Sequence, residues 1–358
     1  MTDKELFNDI VFYGHTDSVT SLTYNERTEH IVSVSYDQTL RIWSLDKAEQ
    51  IGITTEHVTQ INSVEIDSKG SNITTGGMDF KICSFDYDTL HLKFTLLNGG
   101  AVTDHSISKD GNALVCVTDI SCCMNLWDLR SQKKVFSLPK VHEKTPTSCQ
   151  FTPNERYIIT TSTDGSTKCT DLRSQRPLLT LRDHKNAVSS SAITRDGKLL
   201  TTTSWDKTVC LYDIDIGKYR LQGPQTLENG HTGSISSCDI DDQGNYLVTG
   251  GHDKSVILWD IEKQEIKLCL KRHTDWINDV SMTRDGKWIL TASKDRSIRS
   301  CNMEVIEKLP FSYLPGKQQN ILTLKCPNCE KNFVQTATTD WRKRPRCLFC
   351  DLDAKLDN

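Results

Sequence analysis

Apolar residues in this chain come in short runs of strand length, without the long amphipathic stretches that build helices. One stretch shows the arrangement. Ser236–Ile240 leads through Asp242, Gln243 and Gly244 to Tyr246–Thr249, and then past Asp253 to Val256–Trp259. Apolar residues at a 3.6-residue period, the mark of a core-facing helix, are absent. Segments between the runs, such as Lys109–Gly111, Arg195–Gly197 and Arg284–Gly286, end on glycine. Glycine reaches positive φ without steric cost, which suits tight hairpins. The pattern predicts an all-β chain made of consecutive short strands.

The same arrangement recurs at a fixed period. A histidine is followed 22 positions later by an aspartate in six pairs: His15/Asp37, His57/Asp79, His142/Asp164, His184/Asp206, His231/Asp253 and His273/Asp295. Successive histidines stand 42 residues apart, save an 85-residue gap that leaves room for one degenerate unit and a 47-residue gap. Seven units of this length, each with three or four strands, match the blades of a propeller. Four residues before each aspartate stands a hydroxyl: Ser33, Thr75, Thr160, Thr202, Thr249 and Thr291. Six residues after it come Trp43 and Trp259 in the first and sixth units and Tyr212 in the fifth. The second, fourth and seventh units carry Phe85, Thr170 and Cys301 there instead. The third unit lacks the histidine, reads Val115 at the hydroxyl position, and places Trp127 eight residues after Asp119. Its internal network is expected to be missing and its turn longer.

Gly14-His15 and Gly230-His231, with Trp127-Asp128 and Trp259-Asp260, complete the pattern, and Phe85-Asp86, Thr170-Asp171 and Tyr212-Asp213 are weakened copies. On these motifs, residues 1 to about 308 resemble the WD-repeat family. The resemblance implies a seven-bladed β-propeller whose last blade is completed by the opening segment, here Ile10-Val11-Phe12-Tyr13. It also implies a hydrogen-bonded Asp–His–Ser/Thr–Trp chain in each blade. Buried polar groups need partners, and a fully satisfied network rigidifies what it spans. Six sets of Ser/Thr, His and Asp imitate hydrolase triads, but a set that recurs once per repeat is read as structural.

Family partners most often use the face carrying the Gly-His loops and the aspartate turns. The positions that match here give Tyr36, Met78, Trp205, His252, Trp276, Asn278 and Lys294 as expected partner-binding residues. Large aromatics at a solvent-facing loop edge are frequent binding hot spots. The alternative for each is packing against a neighbouring blade or lining the central channel. Two successive units end in Asp-Leu-Arg-Ser-Gln, at residues 128–132 and 171–175. This looks like the signature by which some WD-repeat proteins dock onto cullin-based ubiquitin ligases, with Arg130 and Arg173 as docking residues; an arginine pairing across blades is the plainer reading.

Composition narrows the class further. With 43 basic against 47 acidic residues the net charge is −4, so wholesale attraction to nucleic acid or anionic membrane is not expected. No apolar run approaches the ~20 residues needed to span a bilayer. The N-terminal Asp3, Lys4, Glu5 and Asp9 lack the basic-then-apolar order of a signal peptide. Fourteen cysteines, ten of them scattered through the repeats, argue for a reducing compartment, the cytoplasm being the simplest. Cys149 and Cys238 fall seven residues after their histidines, where other units have Leu22, Val64 and Val280, and so read as core sites.

The repeat ends near Leu309, and residues 310–320 read as a linker. Cys326 and Cys329, then Cys347 and Cys350 after seventeen residues, form two Cys-x-x-Cys pairs. Each turn lets two thiolates converge on one ion, so residues 321–358 resemble a four-cysteine zinc ribbon holding a structural Zn2+, with rubredoxin-like iron or a redox dithiol as alternatives. Four protein ligands leave no position for a catalytic water. Between the pairs, Trp341, Arg342, Lys343, Arg344 and Arg346 form a basic tip. It either offsets the thiolate charge or grips phosphate and stacks a base, as some ribbons do. The expected protein is thus a non-enzymatic scaffold for one or more proteins or peptides, with a propeller monomeric on its own (1–309) and a zinc module (321–358). A ubiquitin-ligase substrate receptor and an RNA-associated adaptor are the alternatives.

Overall fold

Each glycine-ended segment closes a hairpin, and the hairpins assemble into seven four-stranded antiparallel sheets. The computed structural model describes residues 9–214 and 223–303, with the backbone of two further strands, Thr323–Lys325 and Asn332–Val334. Blade 1 runs Val19–Asn25, His30–Ser35, Leu40–Ser44 and Glu49–Thr54. Blade 6, predicted in three runs, forms Ile235–Ile240, Tyr246–Gly251 and Val256–Asp260, and adds Glu265–Leu270 as its outer strand. The hairpin residues Gly111, Gly197, Gly244 and Gly286 take φ between 67° and 74°, the left-handed region that glycine alone enters freely.

Blade 7 takes its outer strand from the opposite end of the described chain. Ile10–Tyr13 pairs antiparallel with Ser297–Asn302, in the register Ile10 to Ser300 and Tyr13 to Ser297. Phe12 then packs into a cluster with Trp43, Ile31, Leu290 and Ile298, which joins blade 1 to blade 7. Burying such a side chain contributes about 1.5–3 kcal/mol. Asp9, immediately before the strand, pairs with Arg272 at 2.8 Å and Arg299 at 3.3 Å, and its own carboxylate is buried. Ring closure is thus held by backbone, apolar and ionic contacts together.

Neighbouring blades are strapped near the axis. Thr20 donates to the Ile61 carbonyl, Asn62 to Val102, Thr147 to Val188, Ser236 to Ile277 and Asn278 to Val19, all within 2.6–2.7 Å. Four carboxylates on the inner strands reach across in the same way. Asp279 accepts from Ser21 and the Leu22 N–H, Asp239 from the Met282 N–H, Asp104 from the Cys149 N–H and Glu65 from the Ile107 N–H. Core sites read from the repeat are apolar and buried as expected, at Leu22, Val64, Cys149, Cys238 and Val280. The ten described cysteines are all free thiols.

Candidate interaction face

All six histidine–aspartate pairs form, and they form inside the blades. The Nδ1–carboxylate distances are 2.9 Å at His15, 3.0 Å at His57, 3.3 Å at His142, 3.2 Å at His184, 3.1 Å at His231 and 2.9 Å at His273. Each Nε2 meets the expected hydroxyl of Ser33, Thr75, Thr160, Thr202, Thr249 or Thr291 at 2.8–2.9 Å. In blades 1 and 6 the indole N–H of Trp43 or Trp259 donates to that hydroxyl. One proton assignment satisfies the whole chain: indole to hydroxyl, hydroxyl to Nε2, and Nδ1–H to an ionised aspartate. That assignment leaves the imidazole neutral. Burial, only partly offset by the aspartate, pushes the pKa of His15, His57 and His142 down. For Asp37, Asp253 and Asp295, burial opposes ionisation, but hydrogen bonds from the histidine and a nearby hydroxyl outweigh it and hold each carboxyl well below the ordinary range. The six histidines are all buried.

Blade 3 departs from expectation: its network is rebuilt rather than missing. Asn98 stands in for the histidine, accepting from the Cys116 thiol, the Asn125 amide and the Trp127 indole at 3.2–3.3 Å. The hydroxyl position is Cys116, since His105 pairs with Cys116 in the register that Leu22 and Ser33 share in blade 1. Counting back from Asp119 lands one residue away, on Val115, because Asp119 occupies the place of Tyr36, its N–H donating to Ala101 as that of Tyr36 donates to Ser18, and the inserted residues follow it in a turn that carries a short 3-10 helix. Tyr212 in blade 5 stands within hydrogen-bond reach of Thr202, the hydroxyl of its own blade, and also donates to Asp183 at 3.0 Å. Two histidines outside the pairs serve blade junctions: His105 bonds Ser63 and Thr74 of blade 2, and His30 stacks on Tyr87.

The aspartate turns, with the loop after His273 that carries Trp276 and Asn278, present the residues proposed for partners on one rim. Tyr36, Met78, Trp205 and Trp276 are 40%, 43%, 42% and 44% exposed. Trp276 is flanked by the His252 ring, stacked at 4.6 Å and 19°, and by the Lys294 ammonium, 4.3 Å from the ring centroid. Burial and the nearby Lys294 lower the pKa of His252. Asn278 is half-buried and donates to Ser18 as well as to Val19, so its amide ties blade 7 to blade 1. Phe80 and Ile120, on the same rim, were missed from sequence because they follow the aspartate instead of preceding it. Arg130 and Arg173 are exposed at the ends of third strands, and the Arg130 guanidinium donates to Asn112 at 2.6 Å. Cys326, Cys329, Cys347, Cys350, Trp341, Arg342, Lys343, Arg344 and Arg346 lie outside the described residues.

The family model described as "WD domain, G-beta repeat" matches at residues 9–44, 48–86, 132–171, 175–213, 223–260 and 264–300. The chain belongs to the WD-repeat family. The matches omit the stretch containing most of blade 3, the unit in which asparagine replaces histidine. Among curated WD-repeat relatives, eukaryotic translation initiation factor 3 subunit I of Drosophila grimshawi is 24% identical over 218 residues, covering 58% of this chain and 67% of that protein. The protein of the same name from Drosophila melanogaster is 26% identical over 218 residues, or 57% of this chain and 66% of the relative. The Rattus norvegicus protein is 24% identical over 214 residues, again 57% and 66%. The matched segment thus spans about two thirds of the length of these relatives.

Proposed function

We propose that this protein is a non-enzymatic scaffold that binds one or more proteins or peptides through the rim formed by its aspartate turns. The observation that carries this reading is the set of large side chains, Tyr36, Met78, Trp205 and Trp276, left substantially exposed on one rim of the ring, in blades 1, 2, 5 and 7. Soluble proteins rarely expose contiguous apolar patches of any size unless something covers them. The histidine–aspartate sets have structural roles, which removes the one constellation that resembles catalysis. The relatives are named as subunits of a translation initiation factor, which supports membership of a multi-protein assembly in the cytoplasm. Affinity capture with the wild-type chain and with a Trp205→Ala/Trp276→Ala variant tests it. Loss of captured proteins from the variant is expected, and an unchanged set refutes the choice of face.

The tail is proposed as a structural zinc module with Cys326, Cys329, Cys347 and Cys350 as ligands. Its support is the spacing of the two pairs and the short antiparallel strands Thr323–Lys325 and Asn332–Val334, which bracket the first of them. One zinc per chain, lost when the four cysteines become serine, is the expected measurement. Salt-sensitive RNA binding that disappears on charge reversal at Arg342, Lys343, Arg344 and Arg346 would instead assign the basic tip to nucleic acid.

A further inference from the structure

The residues on either side of each turn aspartate differ sharply between the two halves of the ring. In blades 1 and 2 they are Tyr36 and Gln38, and Met78 and Phe80, all uncharged. In blade 3 Ile120 stands in the aspartate's place and Asp119 precedes it, its N–H donating to Ala101 as that of Tyr36 donates to Ser18, so this half carries no cation at these positions. In blades 5 to 7 they are Trp205 and Lys207, His252 and Lys254, and Lys294 and Arg296. Thr163 and Gly165 of blade 4 separate the halves. Lys207, Lys254, Lys294 and Arg296 are exposed, and none has a carboxylate partner among the described residues. Elsewhere on the surface Arg27, Lys93, Arg182 and Lys263 do pair with acids. The turn aspartates beside these cations are engaged by the histidines and by backbone N–H groups, as at Lys185, Thr232 and Thr274.

The backbone adds a second observation. Phe80, Lys207, Lys254 and Arg296 sit at φ between 67° and 74°. Side chains there cost about 1–2 kcal/mol relative to the right-handed region. Blade 4 fills the same position with Gly165 at φ 80°, so the turn accepts glycine. Large groups held on a solvent-facing rim against their backbone preference point to use of those groups.

We infer that the face is bipartite and takes an amphipathic acidic peptide, whose carboxylates meet Lys207, Lys254, Lys294 and Arg296 while its apolar side chains lie over Tyr36, Met78 and Phe80. This deepens the scaffold reading above and rests on it. A single-stranded nucleic acid fits less well. The Trp276 ring is already flanked by His252 and Lys294, which leaves little of its face for a base, and blades 1 to 3 offer phosphates no cation at the turn positions.

The test is fluorescence anisotropy with the full chain and a labelled synthetic peptide, one half leucine and phenylalanine, the other half glutamate. Comparators replace glutamate by glutamine or by lysine, and a labelled oligouridylate represents RNA. The glutamate peptide is expected to bind at least about tenfold tighter than either comparator and to weaken as salt screens the exposed charges. Lys207→Glu/Lys254→Glu/Arg296→Glu should lose that binding. Lys207→Gly/Lys254→Gly/Arg296→Gly, which suits the local φ and so protects the fold, should lose it as well. Equal binding of the glutamine or lysine peptide, preference for oligouridylate, or retention by both variants overturns the inference. The two readings fail separately. If the Trp205→Ala/Trp276→Ala variant loses its captured proteins while the charge-reversed variant keeps them, the scaffold stands and the acidic partner does not.

Discussion

Replacing His231 by alanine tests whether the imidazole–carboxylate pairs act as fasteners. The ring is 5% exposed and joins Asp253 at 3.1 Å to Thr249 at 2.8 Å. Its removal deletes a hydrogen bond to an ionised group, about 1.5–3 kcal/mol, and one to a hydroxyl, about 0.5–1.5 kcal/mol. The vacated ring volume adds a cavity term. Asp253 is not stranded, because the N–H groups of Thr232 and Ser255 still reach it. The loss should therefore come to about 3–5 kcal/mol. Trp259→Phe removes only the indole bond to Thr249 and should cost about 1 kcal/mol. Urea unfolding at neutral pH, followed by tryptophan fluorescence and circular dichroism, measures both. The double variant should lose less than the sum, since the two side chains share Thr249. A loss under about 1 kcal/mol for His231→Ala, below a single ordinary hydrogen bond, would falsify the fastener argument.

Three further outcomes are expected. Asp9→Ala removes the buried carboxylate shared by Arg272 and Arg299 and should destabilise the ring by about 3–5 kcal/mol, read from denaturant midpoints, with Asp9→Asn losing most of the same amount. Burial raises the Glu65 carboxyl from 4.5 to about 8, against the Ile107 N–H, which favours the charged form. The folded chain then holds a proton that the unfolded chain releases across that window, so this group makes stability fall as pH rises through it. Stability of Glu65→Gln relative to wild type should accordingly climb over the same range, and a flat difference would remove Glu65 from the account. The Thr170 hydroxyl is buried and has no hydrogen-bond partner among the described residues, so Thr170→Val should gain about 1 kcal/mol in thermal or urea melts.

Much of this architecture was legible because a blade repeats its polar fasteners in register, and an in-register histidine, hydroxyl and aspartate survive even where the tryptophan is lost. Blade 3 was misread where two such markers change together, Asn98 offering one carbonyl oxygen in place of an imidazole and Cys116 replacing the hydroxyl, and where Asp119 stands one place before the turn aspartate of the other blades. The inter-blade carboxylates were overlooked because they alternate between two inner-strand positions, Asp104 and Asp279 on one, Glu65 and Asp239 on the other. A charged residue inside an otherwise buried inner strand was the available signal. The stack of Trp276 with His252 and Lys294 draws on three separate loops, and no local pattern encodes such a meeting.

The pairing of Ile10–Tyr13 with Ser297–Asn302 has a consequence in time. A ribosome makes the first of these strands early and the second near the end of the propeller, an interval on the order of tens of seconds at usual rates of synthesis. Throughout it, an unpartnered edge carrying Phe12 waits beside growing blades, open to chaperones or to another nascent chain. A transcript cut short before Ser297 would therefore yield no smaller ring, only an arc with two adhesive ends.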